Sequence, residues 1–267
     1  LFEISELFKQ VSRLKRSEKF VANNFCSAHD LARISERKGS CFLWNEGAAL
    51  VVNCDGKVNR AYFFLESMDA VSQLRVLVDQ FPDKPVVVDC VGRVPQVDRL
   101  SDVLRISGFR SYAKLSRWKS GSIRFGTHPL HFDNSYRVAE NDDCLYILRM
   151  LNETFDQYIS HLPSKEKLLS LIENQLVFCA SNDEEIIAVV CLEKIGAKAI
   201  YSYQNAVLER YRAMGIGGRL LQYGLYQFRE CTQYSAWIED NNIVSKRMHN
   251  TIGFTPDGLK DHVLIYE

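Results

Sequence analysis

Ala206-Val-Leu-Glu-Arg-Tyr-Arg-Ala-Met-Gly-Ile-Gly-Gly-Arg-Leu-Leu221 is the stretch on which the reading of this chain turns. An apolar run ends at Val207 and a short loop follows. Gly215, Gly217 and Gly218 then cluster where apolar spacing predicts a long helix over Gly215–Cys231. Glycines at that point remove side chains, so a ligand can approach the backbone closely. The N–H groups of a first helical turn have no partner within the helix, and with the helix dipole they form an anion site. Arg212 adds positive charge, and Arg210 and Arg219 crowd the same place, a local basic patch suited to a phosphate or pyrophosphate. A dinucleotide fingerprint, G-x-G-x-x-G, is the competing reading. It needs a third glycine where this chain has Leu221, and it opens a parallel unit, whereas this loop follows several antiparallel-looking strands.

Downstream, the chain reads as a strand over Tyr234–Glu239, a helix over Asn242–Ile252 stopped by Gly253, and a strand over His262–Tyr266. Upstream, Ser135–Ala139 predicts a strand and Asp142–Phe155 and Lys165–Asn174 predict helices. Leu176–Ser181, Ile186–Lys194 and Lys198–Val207 predict three more strands. The first half runs through the same order. It offers helices over Leu1–Arg16 and Ala28–Arg37 and strands over Ser40–Asn45, Ala48–Cys54 and Val58–Glu66. A helix over Ser67–Phe81, a strand over Pro85–Val91, a helix over Val97–Ser107 and a strand over Phe109–Trp118 follow. Asp55-Gly56 between two of these strands is a hairpin signal. The segments ending at Phe109 and Phe254 share one pattern: helix, Gly-Phe, strand. A duplicated α/β unit accounts for this better than one large domain. Composition breaks at Lys119–Ser122 and Gly126–Pro129 divide the chain into 1–125 and 126–267.

Arg212-Ala-Met-Gly215-Ile-Gly217 resembles the Arg/Gln-x-x-Gly-x-Gly/Ala signature of the GNAT superfamily of acyl-CoA-dependent N-acyltransferases. Asn242 to Gly253-Phe254 resembles that family's next helix and its closing Gly-Phe. The resemblance implies an α/β (α+β) fold of two tandem GNAT-like domains, each a mixed, mostly antiparallel sheet flanked by helices. It implies acetyl-CoA, or coenzyme A, as co-substrate. The backbone of Arg212, Ala213, Met214, Gly215, Ile216, Gly217 and Gly218 would bind the pyrophosphate. Asn205, Ala206 and Val207 would pair with the pantetheine arm where neighbouring strands splay, and Asn242 is the family's usual asparagine at the next helix start. The implied activity passes an acetyl or other short acyl group to a primary amine, on a small molecule or a peptide, by direct attack. The Val207 N–H would donate to the developing oxyanion.

The chain departs from the family pattern at two positions. Glu209 stands where a proline is common. His249 stands where many members carry a tyrosine that protonates the leaving thiolate. An imidazole titrates near 6.5 and an ordinary thiol near ~8.5, so a charged His249 could donate, with a rate that is pH-sensitive near neutrality. Tyr201, Tyr203 and Tyr211 are alternative donors. Glu239 is the candidate base, with Asp240 and Glu193 also at strand ends. In the first half only Leu65-Glu66 separates Phe64 from the helix at Ser67, with no glycine cluster and no arginine. That half resembles the degenerate partner of tandem family members, without a coenzyme A loop and with a structural role. A non-catalytic acyl-CoA sensor is the alternative function, and transfer from aminoacyl-tRNA is a third.

Composition bounds these readings. Thirty-three Lys and Arg balance thirty-three Asp and Glu in 267 residues, which leaves no basic track for a nucleic acid. With 46% apolar and 25% charged residues the chain is of ordinary globular make-up, and no run approaches a membrane span. Leu1–Lys19 does not read as a signal peptide. The eight cysteines form no C-x-x-C pair and most lie in apolar runs, as reduced thiols in a cytoplasmic protein do. No metal site is expected, His128 and His131 included. The acceptor and the oligomeric state leave no mark in the sequence.

Overall fold

A computed structural model describes residues 2–25, 27–35, 39–54, 58–81, 85–125, 136–182 and 185–267. The Asp55-Gly56 hairpin signal, the Gly126–Pro129 break and the His128/His131 pair lie outside them. The chain divides into two compact units: Leu1–Leu115 with Gly258–Glu267, and Ser116–Asp257. The sequence suggests a single cut near residue 125. The units are instead divided at Leu115/Ser116 and again at Asp257/Gly258, because the carboxy-terminal strand belongs with the first unit.

Unit 1 contains α1 (Phe2–Leu14), β1 (Val21–Ala22), α2 (Ala28–Ser35), β2 (Cys41–Trp44), β3 (Ala48–Cys54), β4 (Asn59–Leu65), α3 (Val71–Gln80), β5 (Val86–Arg93) and α4 (Gln96–Ile106). Its strands β2, β3 and β4 pair antiparallel in sequence, and β4 pairs with β5 in parallel. Successive side chains of a strand point to opposite faces. Ala49, Val51 and Phe64 therefore pack with Leu7, Val11 and Leu14 of α1, while Leu50, Val52 and Phe63 pack with Leu74, Val78 and Leu104 of α3 and α4. Both faces of β3 and β4 are covered, which is why their sequences read as continuous apolar runs.

β6 (Arg110–Ser120) runs across the division into unit 2. There follow β7 (Tyr136–Val138), α5 (Cys144–Thr154), α6 (Lys165–Glu173), β8 (Val177–Asn182), β9 (Glu185–Lys194), β10 (Ala199–Val207), α7 (Ile216–Tyr226), β11 (Gln233–Glu239) and α8 (Ile243–Thr251). β7, β8, β9 and β10 pair antiparallel in that order, and β11 joins β10 in parallel. One core gathers Ile147, Leu151, Leu168, Phe178, Val190 and Leu221 from the helices and strands of this unit, with Phe254 from the turn after α8. β12 (Thr255–Tyr266) returns to unit 1, where Leu259–Tyr266 lies antiparallel to β5. The mixed, mostly antiparallel sheets flanked by helices are those the sequence leads one to expect.

The two Gly-Phe turns fold alike. Gly108 and Gly253 both take left-handed φ values, +102° and +104°. Phe109 N–H donates to Leu104 O at 3.1 Å, and Phe254 N–H donates to His249 O at 3.0 Å. These bonds close each helix in the same glycine cap and make Leu104 the counterpart of His249.

Candidate active site

The site grows from the way β10 parts from β11. Their parallel pairing runs from Ala199↔Gln233 to Ser202↔Ala236 and stops, although β10 continues to Val207 and β11 to Glu239. Beyond Ser202, β10 keeps its antiparallel partner β9 as far as Val207↔Ala188. The opposite edge of Tyr203–Val207 has no strand beside it among the described residues. Leu208 N–H donates to Ile187 O at 2.9 Å on the β9 side. Backbone groups alternate direction along a strand, so the N–H and C=O of Val207 point to the open edge. The Arg212 Nε donates to Val207 O at 3.1 Å.

The chain then turns through Glu209–Tyr211, a single 3-10 turn, into the glycine loop. Ala213 and Gly215 both hold left-handed φ, +63° and +77°. Alternating handedness of this kind turns successive N–H groups toward one concavity, a nest for an anion. The first backbone bond of the helix comes from Arg219 N–H to Gly215 O at 3.1 Å, so the N–H groups of Ala213 to Gly218 find no backbone acceptor among the described residues. No side chain caps the helix start. Gly217 is required by closeness, since a Cβ there would meet Val207 Cγ2 at 3.0 Å and Asn205 Oδ1 at 3.4 Å. Asn205 secures the same junction, its Nδ2 donating to Gly217 O at 3.3 Å, while its Oδ1 is buried without a partner among the described residues. Met214 is exposed at the rim.

Of the three arginines in the expected basic patch, Arg210 is ion-paired with Glu185 and does not contribute a free charge. Arg219 donates to Tyr136 Oη at 3.1 Å and to Met214 O at 3.3 Å, so among the described residues it and Arg212 are bonded only to neutral oxygens. Asn242 is the cap of α8, its side chain accepting from Ser245 N–H at 2.9 Å.

His249 lies in the interior, 4% exposed, with its ring edge-on to Phe254 at 5.2 Å between centroids. Its Nδ1 is 2.9 Å from Ser245 O, which fixes the proton on Nδ1, and its Nε2 is buried with no partner among the described residues. Burial pushes the imidazole below its ordinary 6.5, against a smaller upward pull from the Ser245 bond. The folded ring is therefore neutral at pH 7, which differs from the charged donor that the sequence suggested. A ring that binds its proton less tightly folded than unfolded favours unfolding as pH falls through 6.5. The urea midpoint of the wild type should accordingly drop between about pH 8 and about pH 5.5, and by less in His249→Phe. Equal drops in the two proteins would rule His249 out as the source.

Among the carboxylates, Asp240 accepts from Ser116 Oγ and lies 3.7 Å from Lys246 Nζ, and Glu193 is ion-paired with Lys167. Glu239 is half-buried at the end of β11, and its carboxylate has no ion-pair or hydrogen-bond partner among the described residues. Tyr203 donates to His161 O and Tyr211 accepts from Asn182 Nδ2, so both phenols have partners. The described free cysteines include Cys144, Cys179 and Cys191, all buried, and burial pushes the Cys179 thiol up to about 12. No helix among the described residues is long and apolar enough to cross a membrane. No cluster of three metal-ligating side chains occurs among them.

Residues 144–254 match the acetyltransferase (GNAT) family. The matched stretch contains the open strand edge, the glycine loop and the capped helix just described. Among solved structures, a GCN5-related N-acetyltransferase from Sphaerobacter thermophilus is 15% identical, with 94% of this chain and 96% of that one covered and a TM-score of 0.59. A tandem GNAT protein from the clavulanic acid biosynthesis pathway is 12% identical over 98% of this chain and 94% of its own, at TM-score 0.59. A GCN5-related N-acetyltransferase from Kribbella flavida is 12% identical over 98% and 95%, at TM-score 0.58. Identities this low speak for the fold. A search of curated proteins returned no match.

Proposed function

We propose that the chain passes an acetyl or other short acyl group from acyl-CoA to a primary amine by direct attack on the thioester, with the chemistry in the second half, 126–267. The observation that carries this reading is the unpaired edge of β10 leading straight into six N–H groups without backbone acceptors. A pantetheine arm has amides to pair with such an edge, and its pyrophosphate needs such a nest. Arg212 and Arg219 add charge at the rim.

In this reading the amine nitrogen attacks the acyl carbon and the oxyanion accepts from Val207 N–H. The carbon–sulfur bond then breaks, and the nitrogen's surplus proton passes through water to Glu239. A thiolate of pKa near ~8.5 is a workable leaving group. It takes its proton from solvent at neutral pH, since His249, at the family's acid position, is neutral there. The free buried thiols suit a reducing compartment such as the cytoplasm.

The test is thiol release from acetyl-CoA across primary amines, small and peptidic. Glu239→Gln should lower kcat by about 10²- to 10⁴-fold with coenzyme A affinity unchanged. A fully active variant would remove Glu239 from the mechanism. Coenzyme A binding without thiol release from any amine would overturn the enzyme reading in favour of a sensor.

A further inference from the structure

We infer that the segment Phe20–Asn24 fills, in unit 1, the strand-edge slot that the pantetheine arm takes in unit 2, so that the chain itself closes its first cleft to acyl-CoA. This rests on the proposed function for what unit 2 holds. It rests on unit 1 alone for the closure.

β4 and β5 repeat the geometry of β10 and β11. They run parallel and pair only from Asn59↔Val86 to Ala61↔Val88, although β4 continues to Leu65 and β5 to Arg93. What differs is the gap. β1 lies in it, antiparallel to β4, with Val21 opposite Leu65 and Ala22 opposite Phe64. Asn23 follows at the point of divergence and is 1% exposed. Its Nδ2 donates to Ala61 O on β4 and to Asp89 O on β5, each at 3.0 Å. Its Oδ1 accepts from Phe63 N–H of β4 at 2.7 Å, and its backbone O accepts from Val91 N–H of β5 at 2.7 Å. One side-chain amide and one peptide carbonyl thus satisfy the backbone of both parted strands. That is the chemistry an amide of a pantetheine arm would offer to an open strand edge.

The rest of unit 1 agrees. The 3-10 turn Met68–Ala70, which leads from β4 into α3, is already capped, Ser67 Oγ accepting from Asp69 N–H at 3.2 Å, and the Asp69 carboxylate stands in that turn. A phosphate there would meet a negative charge in place of free amides.

Two measurements on the full chain test this. Calorimetric titration with coenzyme A should give one site per chain in the wild type and none in Gly217→Glu. Two sites in the wild type, one of them lost and one kept in Gly217→Glu, would overturn the closure. Amide hydrogen exchange without ligand should find Phe63 and Val91 protected in the wild type, and Phe63 faster by roughly 10- to 100-fold in Asn23→Ala. Solvent-rate exchange at both amides in the wild type would likewise overturn it. No coenzyme A binding by the wild type, with both amides protected, would sink the proposed function and uphold the closure.

Discussion

Gly217→Glu is expected to weaken coenzyme A binding by about 10³-fold and to leave the chain folded. The side chain would enter at the junction of β10 and α7, where even a Cβ lies 3.0 Å from Val207 Cγ2. It would bring a carboxylate to the amides that the pyrophosphate needs. Two like charges about 4 Å apart at an effective dielectric of about 20 repel by about 4 kcal/mol, and each 1.4 kcal/mol is a factor of ten. In the free protein the terms are smaller and partly cancel. An acid near a helix N-terminus gains about 0.3–1 kcal/mol, against about 1–3 kcal/mol for crowding. The thermal midpoint should therefore fall by only a few degrees while affinity collapses, and the two readouts separate. Gly215→Ala is the contrast, because nothing lies within 4 Å of a Cβ there and only its φ of +77° resists the substitution. Unchanged affinity in Gly217→Glu would mean that the anion sits elsewhere.

The glycine loop was legible because the features that matter are local: glycines at a helix start, an arginine before them, and a strand leading in. Elements with a strong period were legible for the same reason. Where the pattern was weak, the reading failed in instructive ways. α7 stops at Tyr226, short of Cys231, although Phe228 and Cys231 continue its apolar spacing and pack on the core. The chain tightens there into short turns, and the Tyr234 hydroxyl donates to the carbonyls of Phe228 and Cys231. β12 begins at Thr255, well before His262, because Asp257, Lys260 and Asp261 interrupt its apolar run. Arg117 pairs with Asp257 and makes such a residue acceptable in a strand. β1 is two residues long, below any period, and Asn23 gives no sign in the sequence that it will be buried.

The site's chemistry was legible in its spacing and opaque in its environment. Counting back from Gly253 locates His249, but only the packing of Phe254 and the Ser245 carbonyl shows that its ring is neutral. Glu193, Glu239 and Asp240 look equivalent as strand-end acids. Lys167 and Lys246, distant or on another element, single out Glu239 by engaging the other two. Arg210 looked like part of the anion site until Glu185, from β9, claimed it.

Arg60→Met should cost the fold about 3–5 kcal/mol, the usual penalty for leaving half of a buried ion pair behind. Arg60 is 3% exposed, and its Nη1 lies 2.8 Å from both carboxylate oxygens of Asp89, itself 4% exposed. Asp261 completes the cluster. Burial first, and then the charge of Asp89, raise its carboxyl well above 3.8, while Arg60 pulls it back. Asp261 therefore keeps its proton to higher pH in the fold than in the unfolded chain. A carboxyl that keeps its proton longer folded than unfolded loses its stabilising effect as pH rises from 3.8 toward its folded value, so Asp261→Asn should flatten that decline. Arg60→Met removes a cation from beside two carboxyls, a loss large against a total stability of about 5–15 kcal/mol. Asp89→Leu added to Arg60→Met should restore most of the loss, because an apolar pair in place of a buried ion pair is often neutral or better. Urea unfolding of the two single variants and the double measures the coupling. A double variant no more stable than Arg60→Met alone would trace the loss to the packing of the arginine stem and not to the stranded charge.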